Sequence, residues 1–259
     1  MTLSGMAAVV TGGGRGIGVA VAEALAEAGS AVVVTARSEA EIEAVAEGLR
    51  ARGRTAHAVV CDVTDPDSVA AMADRARELV GHVDILVNNA GVASSAAFLK
   101  VTLEQWEQVH RVNATGVLLV TQAFLPAMLE RGWGRIVNVA SLASLGGGRY
   151  MTAYAASKHA LVGMARCLAD ELAGTGVTVN SVCPNYVDTP MTDENIERIA
   201  AKTGKDADAV RAGLGEMQPD GRLITPREVA HAVMTFMPGE AGALQGVELV
   251  VRGGGRAAR

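Results

Sequence analysis

The stretch Met6-Ala-Ala-Val-Val10, then Thr11-Gly-Gly-Gly-Arg15-Gly-Ile-Gly18, then the alanine-rich Val19 to Ala28 closed by Gly29, reads as strand, glycine turn and helix. A short unbroken apolar run fits a strand buried on both faces, and a helix-favouring run that stops at glycine fits a capped helix. Between them, Gly12 and Gly16 permit backbone conformations that a Cβ would obstruct, and Gly18 lets the helix lie close to the sheet. Arg15 and Ile17 fill the turn. The start of such a helix offers free N–H groups and the positive end of its dipole, a fit for the pyrophosphate of a dinucleotide. The pattern is TGxxxGxG rather than GxGxxG, and the missing GK[ST] removes a triphosphate-binding loop.

Outward from this unit the same alternation repeats. Strands are predicted at Ala31 to Ala36, Thr55 to Val60, Val83 to Asn88, Arg135 to Val139, Val177 to Val182 and Gly246 to Val251. Helices are predicted at Glu39 to Arg52, Pro66 to Val80, Thr102 towards Met128, Thr152 to Ala173 and Pro226 to Phe236. Strict alternation implies a parallel sheet covered on both faces, so the expected fold is α/β: one doubly wound Rossmann domain over 1–259 with seven strands. Two places break the pattern. Arg111 to Val117 lies mid-helix yet holds Asn113, Thr115 and Gly116, poor helix formers, and such rule-breaking marks functional positions. The 184–221 segment is too long for an ordinary connection; it is expected to carry helices at Asp193 to Lys202 and Asp206 to Met217 and to act as a substrate lid.

Composition narrows the class. The 259 residues are 49% hydrophobic and 3% aromatic, so the core must be built from Ala, Val, Leu, Ile and Met. A net charge of −5 with no basic block argues against nucleic acid. No apolar run approaches the ~18 residues that span a bilayer, and no signal peptide is visible, so no membrane partner is expected and cytoplasm is the default location. Cys61, Cys167 and Cys183 lie far apart, the histidines form no HExxH or HxH, and no metal site is assigned.

A dinucleotide site places Asp or Glu on the ribose about 20 residues after the turn when the ligand is NAD. Here Arg37 occupies that region, with Arg15 beside the turn and no acidic partner, so the expected cofactor is NADP(H). Further along, Tyr154-Ala-Ala-Ser-Lys158 sets a phenol and an ammonium four residues apart on a predicted helix, where i and i+4 share a face. An ammonium about 5 Å from the phenol, at an effective dielectric near 20, would stabilise phenolate by roughly 3 kcal/mol.

Taken together these motifs resemble the short-chain dehydrogenase/reductase family, and the resemblance covers nearly the whole chain. TGxxxGxG is Thr11 to Gly18, and Asp62, followed by Val63, matches the adenine-contacting aspartate. Asn88-Asn89-Ala90-Gly91 matches the NNAG turn, and Asn113, Ser141, Tyr154 and Lys158 match the catalytic set. The resemblance implies that Ser141 hydrogen-bonds the substrate carbonyl and Tyr154 protonates it. Lys158 would lower the Tyr154 pKa and hold the nicotinamide ribose, and Asn113 would hold a water that relays protons to Lys158. Pro184, Asn185, Val187 and Thr189 would meet the nicotinamide end of the cofactor. Asn185 stands where the family usually has glycine; asparagine tolerates left-handed backbone, and its side chain would lie near nicotinamide and substrate.

The resemblance therefore implies an NADPH-dependent reductase of 3-oxoacyl thioester or polyketide-type ketones, acting on a small-molecule carbonyl and assembled as a homotetramer. Leu142, Leu145, Arg149, Tyr150, Met151, Asn185 and Met191 are the expected substrate pocket, shaped by Gly146 to Gly148. Arg149, Lys202 and Lys205 are candidates to meet a phosphorylated carrier. The competing readings are a non-catalytic NADP-sensing scaffold, an NAD-linked alcohol or 3-hydroxyacyl dehydrogenase, and a dehalogenase-like lyase, which the glycine turn and Arg37 disfavour.

Overall fold

A computed structural model describes residues 2–254. Met1 and residues 255–259 of the expected domain range lie outside the described residues. Seven parallel strands form one sheet in the order β3-β2-β1-β4-β5-β6-β7. They are β1 Ala7–Thr11, β2 Ala31–Ala36, β3 Ala56–Val60, β4 Ile85–Asn88, β5 Gly134–Val139, β6 Val177–Pro184 and β7 Glu248–Val251. The fold is the doubly wound α/β fold expected from the alternation.

Strand periodicity divides the core. Val9, Val33, Leu86, Ile136 and Val179 point to one face of the sheet, while Val10, Val32, Val34, Val87 and Val137 point to the other. The second face is covered by α1 (Ile17–Glu27), α2 (Glu39–Ala51) and α9 (Pro226–Met234), through Leu25, Ile42 and Val233. The first is covered by α3 (Pro66–Val80), α5 (Gly116–Arg131) and α6 (Thr152–Glu171), through Met72, Phe124 and Ala165. With few aromatics, branched aliphatics and alanine fill both layers, as the composition requires.

The predicted mid-helix irregularity is a π-turn, Arg111–Thr115, between α4 (Leu103–His110) and α5. The rod Leu103–Arg131 also corrects the expectation that no segment approaches a bilayer span. It holds an 18-residue window with mean hydropathy 1.5, long and apolar enough to cross a membrane by length and composition. Here Val120, Phe124 and Met128 of that rod are buried in the core beneath the sheet.

The 184–221 segment carries α7 (Pro190–Thr203) and α8 (Ala207–Glu216), the first beginning three residues earlier than expected because Pro190 suits the first helical turn. Ile196, Val210 and Leu214 give the pair its own small core, against which Tyr186 and Ile199 pack. An isolated parallel bridge, Val187 to Ile224, closes the base of the segment.

Helix α9, packed on α1, begins with a capping box in which the Thr225 side chain accepts from the Glu228 N–H and the Glu228 carboxylate accepts from the Thr225 N–H at 2.7 Å. Arg222 holds the same carboxylate at 2.5 and 2.9 Å, and with these bonds it depresses the Glu228 pKa from 4.5 to about 2. A folded pKa below the unfolded one means that this stabilisation is complete above about pH 4.5 and is lost as the pH falls through about 2. The pair is partly exposed, so its worth is of order 1 kcal/mol. In urea titrations Glu228→Gln is expected to cost about that much at pH 7, and the gap between variant and wild type to shrink by roughly half or more by pH 3. A gap independent of pH would mean that the carboxylate charge contributes nothing.

Candidate active site

Strand order reverses between β1 and β4, each being followed by a connection to the opposite side, and such a sheet opens a crevice at the carboxyl ends of these two strands. The glycine turn and the Asn88 to Gly91 segment both leave the sheet here. Thr11 and Asn89 tie them together: the Asn89 Nδ2 donates to the carbonyls of Thr11 (2.9 Å) and Gly12 (3.0 Å), and the Thr11 hydroxyl accepts the N–H groups of Asn89 and Ala90, both at 3.0 Å.

The glycines are required by this closeness. Gly12 and Gly16 have φ of 63° and 56°, and a Cβ on Gly18 would stand 2.1 Å from the Gly12 carbonyl oxygen and 2.7 Å from Asn89 Nδ2. Gly18 thus brings α1 against the turn, so the helix start faces the crevice, the arrangement a pyrophosphate needs.

The crevice continues into one cleft of about 2620 Å³. It is lined at the turn by Gly12, Arg15, Gly16 and Ile17, and beyond the ends of β2 and β3 by Arg37, Asp62 and Val63. Asn89, Ala90, Gly91, Ser141, Tyr154, Lys158, Pro184, Asn185, Val187 and Thr189 line its centre, and Leu142, Leu145, Arg149, Tyr150, Met151 and Met191 its outer half. Of the residues singled out from the sequence for cofactor, catalysis and pocket, Gly18 and Asn113 stand behind the lining; of the three candidate carrier cations, Arg149 and Lys202 line the cleft and Lys205 does not.

Ser141 follows β5 and caps the short turn after it, its Oγ accepting from the Ala143 N–H at 3.1 Å, which leaves its hydroxyl proton to face the Tyr154 phenol oxygen. Tyr154 and Lys158 sit on α6 at the expected i, i+4 spacing, but the electrostatics differ from the expectation that Lys158 lowers the phenol pKa. Burial raises the Tyr154 pKa, opposed by hydrogen bonding from the Ser141 hydroxyl. Lys158 is 5% exposed, donates from Nζ to the Val139 carbonyl at 2.9 Å, and is itself lowered by burial from 10.5 to about 8. Desolvation, not the Lys158 charge, sets the direction of the Tyr154 shift.

Asn113 lies in the π-turn, fully buried, and its side chain is engaged. Nδ2 donates to the Val92 carbonyl (2.9 Å) and the Ser157 hydroxyl (3.0 Å), and Oδ1 accepts the Val92 N–H (2.9 Å). Both amide donors are used, so the side-chain nitrogen does not hold the expected relay water; the residue positions the segment after β4 against α6.

Three other expectations change. Asn185 is not left-handed: its N–H pairs with the Val251 carbonyl at 3.0 Å, continuing the β6 to β7 ladder, and its Nδ2 donates to Gln218 Oε1 at 3.1 Å. Gln218, buried, donates in turn to the Tyr186 carbonyl at 2.8 Å, which fixes the wall that both residues form. Arg15 is paired with Glu194 of α7 at 3.2 Å. An acidic group does lie near the glycine turn: Glu41, on α2, lines the cleft, and its Oε2 would be 3.2 Å from a Cβ on Gly14. It escaped notice because it comes from the helix after β2 rather than from the strand end. Opposite it, hydrogen bonds from Thr64 lower the Asp62 pKa, with the Arg37 charge acting in the same direction. Gln218 and Tyr186 likewise carried no sequence signal, since each acts through neighbours distant in the chain.

The comparisons fit this geometry. The model of the short chain dehydrogenase family matches residues 6–200. The 3-oxoacyl-[acyl-carrier-protein] reductase FabG of Aquifex aeolicus is 38% identical over 253 residues, covering 97% of this chain and 98% of that protein. Oxidoreductase UcpA of Escherichia coli is 40% identical over 215 residues, 82% of this chain and 80% of its own length. Among solved structures, a variant of actinorhodin polyketide ketoreductase with NADPH superposes with a TM-score of 0.94 at 38% identity, covering 98% of each chain.

Lys158 gives a test of the buried pair. Its shift from 10.5 to about 8 opposes folding by about 3 kcal/mol, against about 1–3 kcal/mol for the bond to Val139. Because the folded pKa lies below the unfolded one for a base, the penalty is full below about pH 8 and fades as the pH rises to 10.5. Lys158→Met is expected to melt no lower than wild type at pH 7, and the difference to move in favour of wild type across that window. A marked loss of Tm in the variant at pH 7 would show that the ammonium stabilises the fold.

Proposed function

The chain belongs to the short chain dehydrogenase family, and we propose that within it this protein is an NADPH-dependent reductase of ketones, reversible to oxidation of the secondary alcohol. The observation that carries the reading is a half-buried Tyr154 phenol, held protonated by its surroundings and faced by the Ser141 hydroxyl, on the wall of the same cleft as the glycine turn.

The residues fit a dinucleotide: glycines where a Cβ would collide, the start of α1 facing the crevice, and Arg37 at the far end. Gly12 to Gly18 would hold the pyrophosphate, Asp62 and Val63 the adenine, and Lys158 with Asn89 to Gly91 the nicotinamide ribose. NADPH supplies the hydride when bound there. Ser141 would turn its hydroxyl from the Tyr154 oxygen to hydrogen-bond the substrate carbonyl oxygen and orient it, keeping its proton. Tyr154 then transfers the phenolic proton to that oxygen as negative charge develops on it, the role in which preorganised donors contribute most. Lys158, an ammonium below about pH 8, stabilises the phenolate left behind. Asn113 fixes α6 against the loop after β4, which sets the spacing between Lys158 and Gly91.

Identity to FabG and the likeness to a polyketide ketoreductase support 3-oxoacyl thioesters or polyketide-type ketones as the substrate class. The exposed apolar side chains of Phe98, Leu99, Leu103 and Leu118 on one helical region support a homo-oligomer, read as a cytoplasmic tetramer.

One observation favours NAD linkage instead: the Glu41 carboxylate beside Gly14 is the residue type that holds a free ribose 2′-hydroxyl. Binding titrations decide between the two. Arg37→Asp is expected to weaken NADPH binding at least tenfold and NADH binding little; equal effects on both sink the NADP assignment. For the reaction itself, NADPH oxidation is measured against a panel of ketones and 3-oxoacyl thioesters. Turnover by wild type, and its loss by several orders of magnitude in Tyr154→Phe with cofactor binding kept, is the expected result. Tight NADPH binding with no turnover of any substrate would point to a sensor or scaffold.

A further inference from the structure

Tyr150 stands in a conformation that its residue type disfavours. Its φ is 67°, and among the described residues it is the one non-glycine residue with positive φ. It is the third residue of a turn closed by the Met151 N–H donating to the Gly148 carbonyl at 3.4 Å, a place where turns needing positive φ take glycine or asparagine. Gly146, Gly147 and Gly148 precede it, and none of the three has positive φ. The chain therefore puts its permissive residues where the backbone does not need them and a tyrosine where it does.

The backbone alone does not account for that choice. The Tyr150 carbonyl accepts the Ala96 N–H at 2.9 Å, joining the loop after β4 to the loop before α6, but glycine would make the same bond with less strain. Nor does packing account for it, because the side chain is 61% exposed. What remains is the ring itself, standing at the mouth of the cleft that holds Ser141 and Tyr154. Leu145 and Met217, the latter 63% exposed, line the same cleft, so its outer half offers an apolar surface to whatever enters. Backbone strain kept at a site, with no folding role to offset it, points to function.

We propose that Tyr150 is a specificity-determining residue: its ring is a platform on which the flat face of a ring-bearing ketone lies while the carbonyl reaches Ser141 and Tyr154. Aromatic faces and methionine sulfur both favour a planar apolar guest over a short acyclic one. This rests on the reductase reading above.

The test compares 2-tetralone with 2-butanone as substrates for wild type, Tyr150→Phe and Tyr150→Gly. Tyr150→Gly is expected to raise KM for 2-tetralone about 3- to 10-fold, the loss of one ring contact, with kcat retained, KM for 2-butanone unchanged and Tm not lowered. Tyr150→Phe is expected to behave as wild type, since the face of the ring and not its hydroxyl makes the contact. Equal changes for both ketones, no change for either, or a loss in Tyr150→Phe matching that in Tyr150→Gly overturns the assignment. If wild type reduces neither ketone nor any substrate of the panel above, the reductase reading fails separately. Calorimetric binding of 2-tetralone to the protein then still tests Tyr150, by the same weakening in Tyr150→Gly and not in Tyr150→Phe.

Discussion

The amide of Asn89 bridging the carbonyls of Thr11 and Gly12 is the bond on which the site depends. It joins the ends of two neighbouring strands at the point where the sheet changes winding direction, and it leaves no room for a Cβ on Gly18. Because Gly18 can come that close, α1 starts at the floor of the crevice. Because Thr11 takes the N–H groups of Asn89 and Ala90, the segment towards Gly91 stays open along the cleft rather than folding over it. A parallel sheet offers one such crevice per switch of winding, and the glycine turn, the strand-end serine and the α6 pair all converge there.

Around that crevice the chain keeps polar groups buried by giving each a partner. Asn113 interrupts a long apolar helix with a π-turn, and its three hydrogen bonds to Val92 and Ser157 satisfy a side chain that would otherwise be costly in a fully buried place. Lys158, almost as deeply buried, has one carbonyl partner and a pKa near 8. On the outer side the same rule fixes the wall beyond β6, where Gln218 clasps both Asn185 and the Tyr186 carbonyl, so the segment bearing α7 and α8 has a tied base rather than a free hinge.

Much of this was legible in the chain. Period-two burial, the glycine turn, the mid-helix break at Asn113 and the spacing of Tyr154 and Lys158 are local patterns, and local patterns survive into the fold because each is enforced by backbone sterics or helix geometry. Even the residue that breaks a local rule, Asn113, was visible as a break. The sequence also led astray in consistent ways. It treated Tyr154 and Lys158 as if near a surface, read Arg15 and Arg37 without the Glu41 and Glu194 carboxylates, and took Asn185 for a turn residue when it continues a ladder. In each case the deciding partner lies on another element.

The amino-acid sequence by itself thus determined the order of elements, the doubly wound sheet and the identity of the residues at its switch point, because these follow from periodicity and from where glycine is sterically required. Only the tertiary structure decided the charge state of the phenol and ammonium, the partners of Asn113 and Asn185, and the left-handed backbone of Tyr150. These depend on burial and on hydrogen bonds between segments far apart in the chain, and the energy of a buried polar group is set by its surroundings in space, which no local pattern contains.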